Sequence, residues 1–229
     1  MALYAIGDLH LSFQANKPMD VFGGNWKGYV EKLREGLKVI TPEDTTVLLG
    51  DLSWAMSMET AVEDFRFIDA IPGEKIILKG NHDYWWTTLN KFQKFCQAND
   101  FGEMKVLNNA AFNYGDIALC GTRGWFYEEE KHGAKDEKVF KRELIRLETS
   151  LQLAGDKEKY CFLHYPPKFG SYQCDEILEL FSRYGVTRCY YGHLHGDSHR
   201  LAFQGLHYGT EYSLVAADYL NFCPKLVCL

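Results

Sequence analysis

The chain has 229 residues, of which 46% are hydrophobic and 24% charged, with a formal net charge of −6. That composition excludes a disordered chain and allows a sizeable core. The acidic balance excludes a global positive field of the kind that draws a protein to nucleic acid or anionic membranes.

Short apolar runs and helical patterns alternate along the chain. A run at 3–6 leads into Gly7 and Asp8, and a helical pattern follows at 25–40. The run at 46–49 leads into Gly50 and Asp51, with a helix expected at 58–70. The next, at 76–78, leads through Lys79 and Gly80 into Asn81, before a helix at 87–98. Residues 106–126 read as two short strands around a turn at 113–116, and 136–154 as a helix carrying Val139, Phe140, Leu144, Ile145, Leu147 and Leu151 at near-helical spacing. Runs at 160–163 and 189–191 end at His164 and at Gly192-His193, with a helix at 175–184 between them. Residues 198–229 read as consecutive strands. The alternation predicts an α/β fold with two sheets in a single domain, 1–229.

Seven cysteines are scattered without a C-x-x-C pair, several of them in apolar runs, as expected of buried free thiols in a reducing cytoplasm. The N-terminal residues lack a basic, apolar leader, and no stretch approaches the ~20 apolar residues of a membrane span.

The chemistry gathers where the apolar runs end, since ligands of open α/β sheets bind at the carboxyl ends of strands. Asp8 and His10 are two apart, as are His193 and His195, a spacing that puts both side chains of each pair on one side of an extended backbone. Together with Asp51, Asn81 and His164 they make seven oxygen and nitrogen donors from five segments, a number that suits two metal ions. Donors without thiolate favour Mn²⁺, Fe or Zn²⁺, and a pair of such ions points to phosphoester hydrolysis.

The segments GDLH at 7–10, GDLSW at 50–54, GNHDYWW at 80–86, LHYPP at 163–167 and YGHLHG at 191–196, in that order, resemble the five motif blocks of the calcineurin-like metallophosphoesterase superfamily, in particular its small bacterial phosphohydrolases. The resemblance implies a four-layer α/β/β/α sandwich of two mixed sheets flanked by helices. It also implies a sharing of ligands: Asp8, His10, Asp51 and His195 on one divalent ion, foremost Mn²⁺, and Asp51, Asn81, His164 and His193 on the other. His82 would then face the scissile phosphate and protonate the leaving oxygen, with Asp83 orienting its imidazole. A metal-activated hydroxide would attack the phosphorus of a small phosphomonoester or phosphodiester.

The protein-phosphatase members continue GD into an Asp-Arg-Gly segment, where this chain has Leu52-Ser53-Trp54, and the lipid A pathway pyrophosphatases carry an arginine in the place of His82. Neither activity is expected. Arg123, between Gly121 and Gly124, is the candidate for the missing phosphate grip, against a reading as a plain hairpin residue. Residues 125–138 are a rim over the site or a solvated loop, with the loop favoured; Tyr84, Trp85 and Trp86 read as core packing; His132, His199 and His207 are given no metal. Two competing functions are a nuclease, which the charge disfavours, and a protein-interaction scaffold, which would tolerate loss of the ligands that this chain keeps.

Overall fold

The structure, a computed structural model, describes residues 1–126 and 133–229. In chain order the elements are β1 (Leu3–Ile6), α1 (Tyr29–Gly36), β2 (Thr45–Leu48), α2 (Val62–Asp69), β3 (Glu74–Ile77), α3 (Leu89–Ala98), β4 (Met104–Val106), β5 (Ala111–Tyr114), β6 (Ile117–Thr122) and α4 (Ala134–Leu153). There follow β7 (Glu158–Leu163), β8 (Lys168–Phe169), β9 (Tyr172–Gln173), α5 (Asp175–Tyr184), β10 (Val186–Tyr191), β11 (Gly205–His207), β12 (Thr210–Leu214) and β13 (Lys225–Cys228). They divide into two compact units, one made of residues 1–106 and 215–229, the other of 107–214. Each unit holds one large mixed sheet flanked by helices, the fold class expected.

The first sheet has the order β13-β1-β2-β3-β4. Strands β1 to β4 run parallel, and β13 pairs antiparallel with β1, Leu3 opposite Cys228 and Ala5 opposite Lys225. Every residue of β2 is buried, as in a strand covered on both faces. The core of this unit is rich in aromatic rings: Phe65 of α2 meets the edges of Trp85, Phe92 and Phe95 at centroid distances of 4.7, 5.4 and 5.5 Å. The second sheet has the order β11-β12-β10-β7-β6-β5, with β6, β7, β10 and β12 parallel. Cys120, Cys161 and Cys189 lie side by side across β6, β7 and β10. Burial pushes the Cys120 thiol up to about 12 and raises the other two as well, so these thiols act as small apolar side chains.

Several expectations are corrected. The pattern at 25–40 gives only two turns of α-helix, because Gly28, at φ 66°, cannot continue a helix towards the N-terminus. On α4, Ile145 is 65% exposed, whereas Glu143 and Ser150 are buried. Ser150 Oγ accepts from the Gly121 N–H at 2.9 Å and donates to the Ala110 carbonyl at 2.5 Å, and this local bonding lets a polar residue occupy a core position. The stretch expected as strands from 198 onward opens instead inside a 3₁₀ turn, Gly196–Leu201, as the turn formers Gly196, Asp197 and Ser198 favour. The three residues of β4 and the small β8-β9 hairpin were too short to register as periodic patterns. The segment considered as a rim, 125–138, falls partly on residues outside those described, as does His132. No helix among the described residues is long and apolar enough to cross a membrane.

The start of β1 is fixed by Asp44, whose carboxylate accepts from the N–H groups of Ala2 at 2.6 Å and Thr41 at 2.8 Å and from the Thr41 hydroxyl at 2.9 Å. These donors, the Ala2 N–H foremost, hold its pKa below the ordinary carboxylate range. A depressed folded pKa contributes stability that is complete above the unfolded value of ~3.9 and is lost as the pH falls through the folded value. Asp44→Asn is therefore expected to lower the urea midpoint at pH 7, with the gap to the parent protein closing below about pH 4. A gap of equal size at pH 7 and pH 3 would show that charge has no part in it.

Candidate functional site

In the first unit, β1, β2 and β3 end at one edge of their sheet, and the loops leaving them carry Asp8, His10, Asp51, Asn81 and His82. Asp8, His10 and Asp51 adopt left-handed backbone, with φ of 61, 47 and 49°. For non-glycine residues this conformation costs about 1–2 kcal/mol each and persists only where the surroundings enforce it. Here the two loops lace together: Asp8 N–H donates to the Gly50 carbonyl, His10 N–H to that of Asp51 and Leu11 N–H to that of Leu52, at 2.8 to 3.0 Å. The two-residue spacing of Asp8 and His10 thus works through left-handed turns and not through the extended strand that the spacing suggested. Their ligand atoms lie within 4.8 Å of each other, and His10 Nε2 is 3.8 Å from Asp51 Oδ2.

The loop after β3 meets the loop after β2 backbone to backbone. Gly50, at φ 81°, would place a Cβ 2.4 Å from the Gly80 nitrogen, and a Cβ on Gly80 would lie 2.1 Å from Asp51 Oδ1. Only glycine fits at either position. This contact lets the His82 N–H donate to Asp51 Oδ1 at 2.7 Å.

Asp83 does not orient the His82 imidazole. It is fully buried, and its carboxylate is occupied by five N–H donors: Asp51 and Gly80 on Oδ2 at 2.8 and 2.7 Å, and Leu52, Ser53 and the Trp85 indole on Oδ1 at 2.9, 3.3 and 2.9 Å. Burial raises its pKa, while the donors pull it down. The ring of His82 instead has Trp54 at a centroid distance of 4.4 Å and the Tyr84 hydroxyl 3.4 Å from Nδ1. Trp54 also stacks on His10 at 5.0 Å. Tyr84 is 49% exposed, so the core-packing expectation holds for Trp85 and fails for Tyr84. Neither Trp54 nor Tyr84 was expected beside the His82 ring. The one signal was that each lies within three residues of a candidate ligand.

In the second unit, β6, β7 and β10 end together and carry Arg123, His164 and His193. The Arg123 carbonyl accepts from both His164 N–H and Tyr165 N–H, at 3.1 and 2.9 Å, and the His164 carbonyl accepts from Gly192 N–H at 3.1 Å. His193 is left-handed at φ 72°, and the Leu194 N–H folds back to the Gly192 carbonyl at 2.9 Å, a three-residue turn of the strained type. The ligand atoms of His164 and His193 lie within 4.8 Å of each other. His195 returns to extended backbone, φ −124°, at the start of the 3₁₀ turn.

The Arg123 guanidinium lies over the Trp125 ring at 4.5 Å and donates to Glu143 at 3.3 Å. Glu143 is buried and also accepts from Thr122 Oγ1 at 2.7 Å and Arg146 at 2.6 Å. Arg123 Nε and Trp125 Nε1 are buried donors without a hydrogen-bond acceptor among the described residues. A reading of Arg123 as a plain exposed hairpin residue therefore fails.

The model of one protein family, described as calcineurin-like phosphoesterase, matches residues 1–197. No curated protein matches the chain. Among solved structures, a protein of unknown function from Aquifex aeolicus is similar with a TM-score of 0.52 at 19% identity, over 98% of this chain and 95% of its own. The phosphopantetheinyl hydrolase PptH from Mycobacterium tuberculosis is similar with a TM-score of 0.60 at 12% identity, over 99% of this chain and 95% of its own. At such identities the likeness is one of fold.

Asp83→Ala would strand five donors, four of them backbone N–H groups. Unfolding in urea is expected to show a loss of about 3 kcal/mol or more. A stable variant with altered turnover alone would return Asp83 to the role of orienting the imidazole.

Proposed function

The chain belongs to the calcineurin-like phosphoesterase family, and from that premise we propose that it hydrolyses a small phosphomonoester or phosphodiester with the help of two divalent metal ions. The observation that carries this reading is the clustering of carboxylate and imidazole donors in left-handed backbone at strand ends: Asp8, His10 and Asp51 in one unit, His193 beside His164 in the other. Strain of this kind is kept where function requires it. The donor set fits the ions, since it offers oxygen and nitrogen without thiolate, the choice of Mn²⁺, Fe or Zn²⁺. Following the resemblance of the motif blocks, Asp8, His10, Asp51 and His195 would hold one ion and Asp51, Asn81, His164 and His193 the other. Bound there, the ions would supply Lewis acidity to the phosphoryl group and lower the pKa of a water.

The remaining work falls to side chains of this chain. With Nδ1 facing the Tyr84 hydroxyl, His82 Nε2 is the nitrogen assigned to deliver a proton to the leaving oxygen. Trp54 packs against both the His82 and His10 rings and restricts their motion. Arg123 is assigned to the nonbridging phosphate oxygens: Glu143 and Trp125 hold its plane, and its buried Nε supplies a donor in need of an acceptor. The free state of all seven cysteines supports a reducing compartment such as the cytoplasm.

The defining experiment is metal analysis and assay of the reconstituted protein against phosphomonoesters, cyclic nucleotides, dinucleotides and short DNA. Asp51→Asn is expected to lose most activity and to weaken both ions, because the shared carboxylate neutralises two cations. Retention of two tightly held ions with near-normal turnover would refute the bridging role.

His82→Ala is expected to keep its metal and to lose about 10²–10⁴-fold in kcat on an alkyl ester. The loss should be much smaller on an activated aryl ester, whose leaving oxygen needs no proton. Equal losses on the two esters would replace proton donation by charge stabilisation.

A further inference from the structure

We propose that the groove between α1 and α2 binds a small amphipathic carboxylate, an acyl chain ending in a single anionic head. The cavity there has a volume of about 670 Å³ and is built by the first unit alone. That is the size of sites which enclose a small organic ligand. Its lining is apolar below and cationic above. Leu37, Ile40 and Ile71 present the floor, and Phe67 and Phe13 form an aromatic wall with ring centroids 5.8 Å apart. Phe13 leaves 43% of its surface to water, area that an acyl chain would cover.

The rim selects the head group. Arg34, Lys38 and Arg66 stand there with Glu63, a positive border on a chain whose net charge is −6. Lys38 is paired with Glu35, and Arg66 with Glu63 at 3.4 Å. Arg34 has no carboxylate partner among the described residues; its guanidinium lies over the Phe67 ring at 5.2 Å. A guanidinium stacked on an aromatic face keeps its edge available for two parallel N–H···O bonds, the geometry that a carboxylate matches. One unmatched cation above an apolar floor calls for one negative charge on an apolar tail. A neutral alcohol fills the floor and wastes the cation, and a quaternary amine is repelled at the rim. None of these residues belongs to the set assigned to the metal ions, so binding here is separable from hydrolysis.

The test is calorimetric titration of the metal-loaded protein with octanoate, octanol and octyltrimethylammonium, each below its micellar concentration. Octanoate is expected to bind with one site per chain, and octanol about tenfold more weakly or worse. Affinity should rise about fourfold per methylene from hexanoate to octanoate, as burial in an apolar floor requires. Arg34→Gln, a change at an exposed position, should reduce octanoate to the level of octanol while leaving hydrolysis unchanged. Octanoate held by the metal ions would ignore Arg34, and that result overturns the proposal. So does equal binding of octanoate and octanol, or no binding at all. Concentration-dependent self-association that Arg34→Gln abolishes would give the groove to a second copy of the chain instead.

Discussion

The buried carboxylate of Asp83 is the constraint on which the first unit's edge depends. Removing a charge from water is costly, and it survives only if its lone pairs are filled. Asp83 meets that condition with donors from two separate loops, Gly80 on its own and Asp51 to Ser53 on the neighbouring one. The requirement works in both directions. The loops satisfy the carboxylate, and the carboxylate sets how close the loops come. Gly50 and Gly80 allow that approach because neither carries a Cβ. The orientation of Asp51, with Oδ1 fixed by the His82 N–H, follows from the same closure.

The second unit reaches a comparable result by other means. Among its described residues no carboxylate is buried between the strand ends in the way of Asp83; a single carbonyl, that of Arg123, gathers the N–H groups of His164 and Tyr165. The charge lies further back, where Glu143 on α4 binds Thr122, Arg123 and Arg146 together. The first arrangement holds carboxylate and imidazole donors and the second holds imidazoles, each at the mouths of parallel strands. The first relies on a charge and two glycines, the second on a shared backbone acceptor and a helix-borne anchor.

Much of this was legible in the sequence because parallel strands are buried on both faces and so read as short apolar runs. The runs ending at Asp8, Asp51, Asn81, His164 and His193 are β1, β2, β3, β7 and β10. What escaped notice depends on partners distant in sequence. Asp83 looked like the neighbour of His82, whereas its partners sit at 51–53. The ligand atoms of Asp8 and His10 come together by another cause than the extended spacing suggested, since Asp and His, though enriched among left-handed residues, more often take ordinary backbone and so do not announce such a turn by their identity. Tyr84 looked like core filler because aromatic character alone does not say which face of a loop a ring will cover, and the same silence hid the place of Trp54. Glu143 and Ser150 interrupt the apolar stripe of α4, and only their bonds to β6 and its neighbours explain why they are tolerated there.

The pairing of β1 with β13 has a consequence for the order of assembly during synthesis. One compact unit is interrupted by the whole of the other: it begins at residue 1, pauses at 106 and resumes at 215. Until β13 leaves the ribosome, β1 has no neighbour on one side, and its N–H and C=O groups there stay open to other chains. The inserted unit, contiguous from 107 to 214, can complete its sheet first. Of the two units the first is thus the later to close, and a ribosome that slows between residues 215 and 229 prolongs the interval in which its edge is exposed.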